Sequence, residues 1–403
     1  MKKLWNRDYI LLLQGSFVST IGDLMYSVAI GYWVYEKTGS SGLMGIMSAI
    51  SMFVTMLVSP FSGSIVDKLN RKCVMVGMDI MQGLIMLTVG VLAFTGRLGV
   101  PGVLIAAFLA AMCSVFYNPA VSTLMIDLIP HDEMVRGQSI FSGAMGLIQT
   151  VGSAFSGVMV AFFGVPLIIV INGLSNLYSA LSELFIRVPR TVQQGVPVSG
   201  RGLLRDMGAA VKMIFSDTCL RIFVPFALIL NLLGAGPLTL VLPFCMEKGF
   251  TVDMYGYIMS IYTVGSLVCV LLLGVLKLKP ATRFWVMALG FSGSVLFFTL
   301  AWMGQSFWSV CVFAFLAAFL NSAGNSVFNA SLMLALPEEN RGAILGFMQS
   351  ASTGGTAISA VIYGLLGDMF PLYLVFTIGS VLSLVPMLYL CFAPETRRFI
   401  KEH

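Results

Sequence analysis

The sequence predicts an all-α integral membrane protein with twelve transmembrane helices in two pseudo-symmetric six-helix bundles. Three observations carry this expectation. Of the 403 residues, 58% are hydrophobic and only 10% are charged, at a mean hydropathy of +0.93, whereas soluble domains carry about a quarter charged residues. Apolar runs long enough to cross a hydrocarbon core, about 20 residues each, recur at 8–35, 42–66, 73–95, 99–128, 137–163, 165–187, 221–246, 253–276, 283–304, 307–336, 342–367 and 370–392. The longest polar stretch, Arg187 to Leu220, parts them six and six. Hydrocarbon offers no partner to a free N–H or C=O, so runs of this length must be helices.

The first run starts within ten residues of Met1, is too long for a signal-peptide core and has no small-x-small cleavage site, so it is expected to stay as a helix. Asp23 lies about 15 residues into it, or ~20 Å at 1.5 Å per residue, near the bilayer centre. Ser16, Thr20, Asp23 and Ser27 share one helical face, a polar stripe fit to line a water-filled cavity. "GSIVDKLNRK" (63–72) joins the second and third runs, and the third holds Asp79 two turns in. The fourth has no Lys or Arg between Gly99 and Pro130 and ends at Asp127. The fifth contains "GSAFSG" (152–157), with Gly152, Ser153 and Gly157 on it, and the sixth carries the stripe Asn172, Asn176, Ser179 and Glu183.

Beyond the sixth run, "RVPRTVQQGVPVSG" has linker composition, and "RGLLRDMGAAVKMIFSD" gathers Leu203, Leu204, Met207, Val211, Ile214 and Phe215 on one face. That segment is either an amphipathic helix on the membrane surface or a strut between the halves. The expected divisions are thus 1–187, 188–220 and 221–403. In the seventh run Asn231 precedes "GAGP" (234–237), which should break or kink the helix near its middle. The tenth spaces Asn321, Asn325 and Asn329 at four-residue intervals. Such residues either line a substrate path or bond between helices.

With both termini in the cytoplasm, all 23 Lys and Arg except Lys37, Arg97 and Lys248 fall in cytoplasmic segments. The positive-inside rule therefore orients the chain, as a multi-pass protein of the cell (inner) membrane. This asymmetry accounts for the net charge of +5, and nothing points to nucleic acid. The seven cysteines are scattered without a C-x-x-C pair, and His131 and His403 are the only histidines, so neither a disulfide framework, a metal site nor a cofactor is expected.

The halves repeat. Glu36-Lys37 recurs as Glu247-Lys248, "LIPHDEMVRG" (128–137) as "ALPEENRG" (335–342), and "GSAFSGVM" (152–159) as "GTAISAVI" (355–362). A period of a little over 200 residues means a duplicated bundle, the plan of transporters whose halves rock about a central site.

The 63–72 loop resembles the signature G-x-x-x-D-[RK]-x-G-R-[RK] of the major facilitator superfamily. Gly63, Asp67, Lys68, Arg71 and Lys72 match, and Asn70 replaces the second glycine. Asn tolerates the left-handed conformation, so the turn is expected to survive. The resemblance implies a latch between the halves. Gly63 would allow close helix approach, Asp67 would face a helix N-terminus of the other half, and Arg71 would pair with a carboxylate, for which Asp127 is the candidate. In the second half Gly274 aligns with Gly63, but Leu278 stands where Asp67 does. Gly22-Asp23, "YNPAVSTLMIDLIPHDEMVRGQS" and "LLRDMGAAVKMIFSDTCLRIF" together resemble the drug:proton antiporter branch, which includes macrolide efflux and enterobactin exporter-like proteins. "GSAFSG" is similar to that branch's G-P-x-x-G-G, with Ser153 for the proline and Ser156 for a glycine.

Ionisable groups inside a membrane are functional by default. Asp23 is the candidate proton carrier, the alternative being a carboxylate pinned to fix the helix. Asp79 and Glu183 come second, because Arg71 or Lys72 is expected to pair with Asp79, and Arg187 with Glu183. No Lys or Arg lies inside a span away from its ends, which disfavours anionic substrates. The expected activity is export of hydrophobic or amphipathic small molecules by proton antiport and alternating access, by a monomer among membrane lipids. A lysophospholipid flippase or siderophore exporter would share the fold, and a passive channel or a non-transporting sensor fits the duplicated halves and latch less well. No G-x-S-x-G, H-E-x-x-H or glycine-rich phosphate loop is present, so an enzyme is not expected.

Overall fold

The computed structural model describes residues 5–66, 69–130, 133–187, 218–275, 280–335 and 341–392, and among these the only regular structure is helical. In chain order the helices are α1 (Arg7–Thr38), α2 (Ser41–Val66), α3 (Arg71–Phe94), α4 (Val100–Leu128), α5 (Met134–Phe163) and α6 (Val165–Leu184). They continue as α7 (Thr218–Thr239), α8 (Val241–Glu247), α9 (Val252–Val275), α10 (Pro280–Met303), α11 (Phe307–Ala335), α12 (Arg341–Met369) and α13 (Leu372–Phe392). A helix lies over each apolar run of the sequence. Among the described residues eight helices are long and apolar enough to cross a membrane, or nine with the bent α7–α8 pair taken as one span. The linker with its amphipathic segment (203–215), together with Asp67, Lys68 and the side chain of Ser153, lies outside the described residues.

Helix ends follow local chemistry. Asn6 caps α1 by accepting from the Tyr9 N–H at 2.8 Å, and its amide donates to the Leu128 carbonyl at 2.9 Å, which ties the start of α1 to the end of α4. Gly39 ends α1 at φ +65°, where its N–H reaches the Tyr35 carbonyl at 2.7 Å, the left-handed stop that glycine adopts without a Cβ penalty. Asn70 behaves differently from the sequence expectation. It is extended, at φ −71° and ψ 107°, and its side chain accepts from the Cys73 N–H at 3.2 Å. The asparagine thus stands in for the signature glycine as an N-cap of α3 and not as a left-handed turn residue.

The chain divides into two compact units, Met1–Gly39 with Ile50–Gly200, and Ser40–Ala49 with Arg201–His403. In the first, α3 packs on α4 and α6, and α1 packs on α5 and α6. In the second, α10 packs on α11 and α13, and α7 packs on α12 and α13. With α7–α8 taken as one helix, these are the same four pairings at corresponding positions, so the duplication seen in the sequence is also a duplication of packing.

Inside the first unit, Tyr9, Leu12, Met75, Leu124, Met125 and Ile186 form a fully enclosed apolar core, where the Tyr9 hydroxyl donates to the Gly137 carbonyl at 2.8 Å. Helices α3 and α6 meet backbone to backbone. A Cβ at Gly83 would lie 3.0 Å from the Gly173 carbonyl oxygen, and one at Gly173 would lie 2.9 Å from the Leu87 nitrogen. Such small-residue contacts let membrane helices approach closely. Large apolar side chains such as Phe162, Trp308 and Leu271 are 80%, 72% and 69% exposed, as expected of faces turned to lipid.

In the second unit the expected break in the seventh run falls later than "GAGP". Gly234, Gly236 and Pro237 remain helical, and the 49° bend comes at Leu240, between α7 and α8. Pro237 lacks an N–H and disturbs the turn around it, while the Ser359 hydroxyl accepts from the Gly236 N–H at 2.9 Å. Below the bend, Trp302 meets Phe244 at 4.9 Å and Phe376 at 5.1 Å between ring centroids, both near-perpendicular. Glu247 caps α13, its carboxylate accepting from the Leu372 N–H at 2.8 Å.

Candidate functional site

The polar residues of the first unit converge on α6. Asn172, Asn176, Ser179 and Glu183 are each at most 1% exposed, and Ser175 and Ser182 are buried beside them. Helix α1 can lie against this face because it presents glycines there. A Cβ at Gly22 would fall 2.1 Å from the Ser175 hydroxyl and 2.9 Å from the Asn172 amide oxygen, which no real side chain tolerates. The residue after it is Asp23. Its Oδ1 accepts from the Gln82 amide of α3 at 2.9 Å and from the Asn176 amide of α6 at 3.4 Å. Asn176 also donates to the Asn172 amide oxygen at 2.7 Å, so the amides form a chain ending on the carboxylate. Gln82 was not singled out from the sequence. It lies in an apolar helix, three residues from the singled-out Asp79, and only that i, i+3 spacing marked it.

A second group sits nearer the other end of the same helices. Glu183 accepts at Oε1 from the Tyr117 hydroxyl of α4 at 2.8 Å and from the Ser179 hydroxyl at 3.3 Å. Tyr117 in turn lies 3.1 Å from the Ser16 hydroxyl of α1. Asp79, 4% exposed, has Glu183, the Ser179 hydroxyl and Asp23 as its electrostatic neighbours. Two expectations are corrected here. Asp79 does not pair with Arg71 or Lys72, because Arg71 turns to Asp127, and the Lys72 ammonium donates to the Leu184 carbonyl at 2.7 Å. Glu183 does not pair with Arg187, whose side chain is exposed and whose backbone N–H donates to Asp8 at 3.1 Å. Arg187 lies past the end of α6, where the four-residue spacing no longer stacks side chains on one face. Among the described residues, Asp23, Asp79 and Glu183 form no ion pair.

The α1 stripe is also divided. Ser16 is buried against Tyr117, Thr20 reaches the Met145 sulfur at 3.7 Å, Asp23 holds the amides, and Ser27 is exposed. Ser16, Asn172 and Asn176 are buried inside the unit, and the Asn172 Nδ2 has no hydrogen-bond partner there. Gly152 is a close-packing position, since a Cβ there would lie 2.6 Å from the Leu24 Cδ1 of α1. Ser156 bonds back to the Gly152 carbonyl at 2.6 Å, and Gly157 is buried.

At the α2–α3 loop, Arg71 meets Asp127 at 2.8 Å, with both side chains under a fifth exposed. No atom lies within 4 Å of a Cβ built at Gly63, so within its own unit this glycine makes no close helix contact. On the same helix Phe61 and Ile65 are 47% and 42% exposed, while Ser62 and Val66 are buried.

In the second unit, Asn325 donates to both the backbone carbonyl and the amide oxygen of Asn321 at 2.9 Å, a bond along one helix. Asn231 stands beside Gly355 of α12. The sequence did not single out Asp368. Its carboxylate accepts from the Ser40 hydroxyl at 2.6 Å, the Ser41 hydroxyl at 3.0 Å and the Gly42 N–H at 3.1 Å, all at the start of α2. A serine pair opening a helix is a capping signal, but it does not announce an acidic partner more than 300 residues away.

The arrangement defines a class: a duplicated, membrane-embedded helical protein with carboxyl groups in its interior and, among the described residues, no nucleophile–base constellation. The sequence model of the Major Facilitator Superfamily matches residues 12–251 and 224–402, and the chain belongs to that family. It is a transporter and not an enzyme. Macrolide efflux protein A of Streptococcus pyogenes is 23% identical over 46% of each chain. A Na(+), Li(+), K(+)/H(+) antiporter of Planococcus maritimus is 27% identical over 62% of this chain and 60% of its own length. The putative bacilysin exporter BacE of Bacillus subtilis (strain 168) is 28% identical over 48% and 46%. The matched region spans about half the length of most of these curated relatives. Among solved structures, the nucleoside transporter NupG (D323A mutant) superposes with a TM-score of 0.75 at 14% identity, covering 96% of this chain and all of its own. A bacterial homolog of the human lysosomal transporter Spinster, inward-facing and unoccupied, gives 0.74 at 13% identity over 99% and 98%. These likenesses concern the fold.

Proposed function

We propose that the protein exports hydrophobic or amphipathic small molecules from the cell by proton antiport, its two halves alternating access to a substrate. Asp23 is the proton carrier in this reading. The observation that carries it is the Asp23 site itself: a carboxyl group midway along a membrane helix, held by the neutral amides of Gln82 and Asn176 and by no cation. Neutral donors hold the carboxyl group in place without fixing its charge in the way a paired cation does. Such a group can load and release a proton as its access to water changes, whereas a salt-bridged one would be locked in its charge state.

Efflux relatives of the macrolide and bacilysin type support an amphipathic organic substrate, and so does the lack of Lys or Arg within the spans. The distribution of cations supports cytoplasmic termini and residence in the cell membrane. A monomer suffices, since Asp23 and its partners come from one unit of one chain. A second reading, exchange of a monovalent metal cation for protons, is favoured by the aligned Planococcus antiporter and would use the same carboxyl group.

The test is transport in proteoliposomes under an imposed pH gradient, with a panel of amphipathic dyes and antibiotics and, separately, with Na⁺, Li⁺ and K⁺. Gradient-driven dye movement that is lost in Asp23→Asn is the expected result. Dye movement that ignores the gradient and survives the substitution would reject the assignment, and cation exchange alone would favour the second reading.

A further inference from the structure

Glu183 and Asp79 remain outside the role given to Asp23, and their surroundings are unusual. Glu183 is fully buried and Asp79 is 4% exposed, on two helices that touch backbone to backbone. Each carboxyl group has one oxygen with no hydrogen-bond partner, Oδ2 of Asp79 and Oε2 of Glu183. A buried carboxylate oxygen left in this way is costly, and two neighbouring carboxylates cannot both stay charged in an apolar interior.

Among the described residues nothing around them supplies a compensating positive charge. From α1 the titratable neighbour is Asp23, and from α4 the neighbours are Cys113 and Tyr117. The only charged side chain of α5, Arg136, is exposed and paired with Glu133. On the pair's own helices, Arg71 is committed to Asp127, Lys72 binds the Leu184 carbonyl, and Tyr178 is exposed. Every facing group is neutral or acidic. Tyr117 and Ser179 both donate to Oε1 of Glu183, which orients that carboxyl and leaves Oε2 as the atom still to be satisfied.

We propose that Asp79 and Glu183 share one proton and form a second proton-binding site, separate from Asp23. A proton on one carboxyl turns the pair into an acid and a carboxylate, removes one of the two charges and gives a donor to an oxygen that lacks one. The proton comes from water and returns to it, with no other bond made or broken. A metal ion fits less well, because hard cations take about six oxygen ligands, and no three acidic, histidine or cysteine ligands converge among the described residues. The inference rests on the proton-coupled reading for its use in transport, while proton binding itself can be measured without a substrate.

The experiment is an infrared pH titration of the purified full-length protein, following the carbonyl stretch of protonated carboxylic acids. It uses the native chain, Asp23→Asn, and Asp79→Asn and Glu183→Gln each in the Asp23→Asn background. Beyond the steps of the water-exposed carboxyl groups, the Asp23→Asn chain should retain one further carboxyl step, and either added substitution should abolish or displace that same step. A step that disappears in Glu183→Gln but is unchanged in Asp79→Asn would show an unshared proton and overturn the proposal, as would a titration unaffected by both. Replacing choline chloride by sodium or potassium chloride should leave the step in place, and its displacement would reassign the pair to a metal cation. If the second site is found but Asp23→Asn retains normal gradient-driven transport, the Asp23 assignment fails and this one stands.

Discussion

Arg71 and Asp127 show how one residue pair can be tested without a substrate. Their contact at 2.8 Å is partly buried, so breaking it should cost about 1–2 kcal/mol, between the values for exposed and buried pairs. Arg71→Asp and Asp127→Arg should each lower thermal stability in detergent, and the double exchange should recover part of the loss. No recovery would mean that Arg71 works mainly through its other contacts, such as the Thr123 carbonyl at 3.5 Å. This pair could be anticipated from the loop signature and from the position of Asp127 at the end of its run. The partners of Asp79, Glu183 and Asp23 could not be, because a side chain in an apolar run carries no mark of which other helix it faces. Gln82→Leu provides a further check. It removes the shorter of the two bonds to Asp23 and should shift the pH at which transport switches on, while a retained pH profile would show that Asn176 alone suffices.

Close approach decides the site at the scale of helices. Gly22 and Gly15 turn α1 towards α6, a Cβ at Gly15 lying 3.1 Å from the Ser179 hydroxyl. Gly22→Val should therefore push α1 away from Asn172 and Ser175, destabilise the protein by roughly 1–3 kcal/mol as overpacking does, and reduce coupling along with it. Melting temperature and proton-driven flux measured on the same preparation would check this. Unchanged stability would mean that the two helices have room to part. In the second unit, α2 enters at Ser41–Ala49 against α12, where a Cβ at Gly45 would lie 2.3 Å from the Ala360 carbonyl oxygen. Asp368 caps that helix start through Ser40, Ser41 and Gly42. Removing a cap costs about 1 kcal/mol, so Asp368→Ala should lower the melting temperature, and Asp368→Asn, which keeps an acceptor, should lower it less.

For the whole molecule, the repeated pairings tie sequence to architecture. The same four helix contacts form in both units although their chemistry has diverged. The first unit holds three acids, Asp79 and Glu183 buried on α3 and α6 and Asp23 partly exposed on α1, while the second places Asn321 and Asn325 along α11 and an aromatic cluster around Trp302. The expected consequence is a division of labour. Substitutions at the buried acids should change the dependence of transport on pH, and substitutions in the second unit, such as Asn325→Ala, should alter affinity for particular compounds without moving the pH profile. A pH profile moved by Asn325→Ala would refute that division.

The sequence by itself determined the all-helical membrane fold, its order of spans and its internal duplication. Hydrocarbon leaves an apolar run of about 20 residues no alternative to a helix, and repeats and cation placement are properties of the chain alone. The loop signature also pointed to the family. Tertiary structure decided what the buried polar groups do: Gln82 and Asn176 on Asp23, Tyr117 on Glu183, Asp368 on the start of α2, and Asn70 as a cap. Partner choice inside a bundle depends on helix rotation and on the glycines that set helix spacing. Neither is encoded in the periodicity of any single helix.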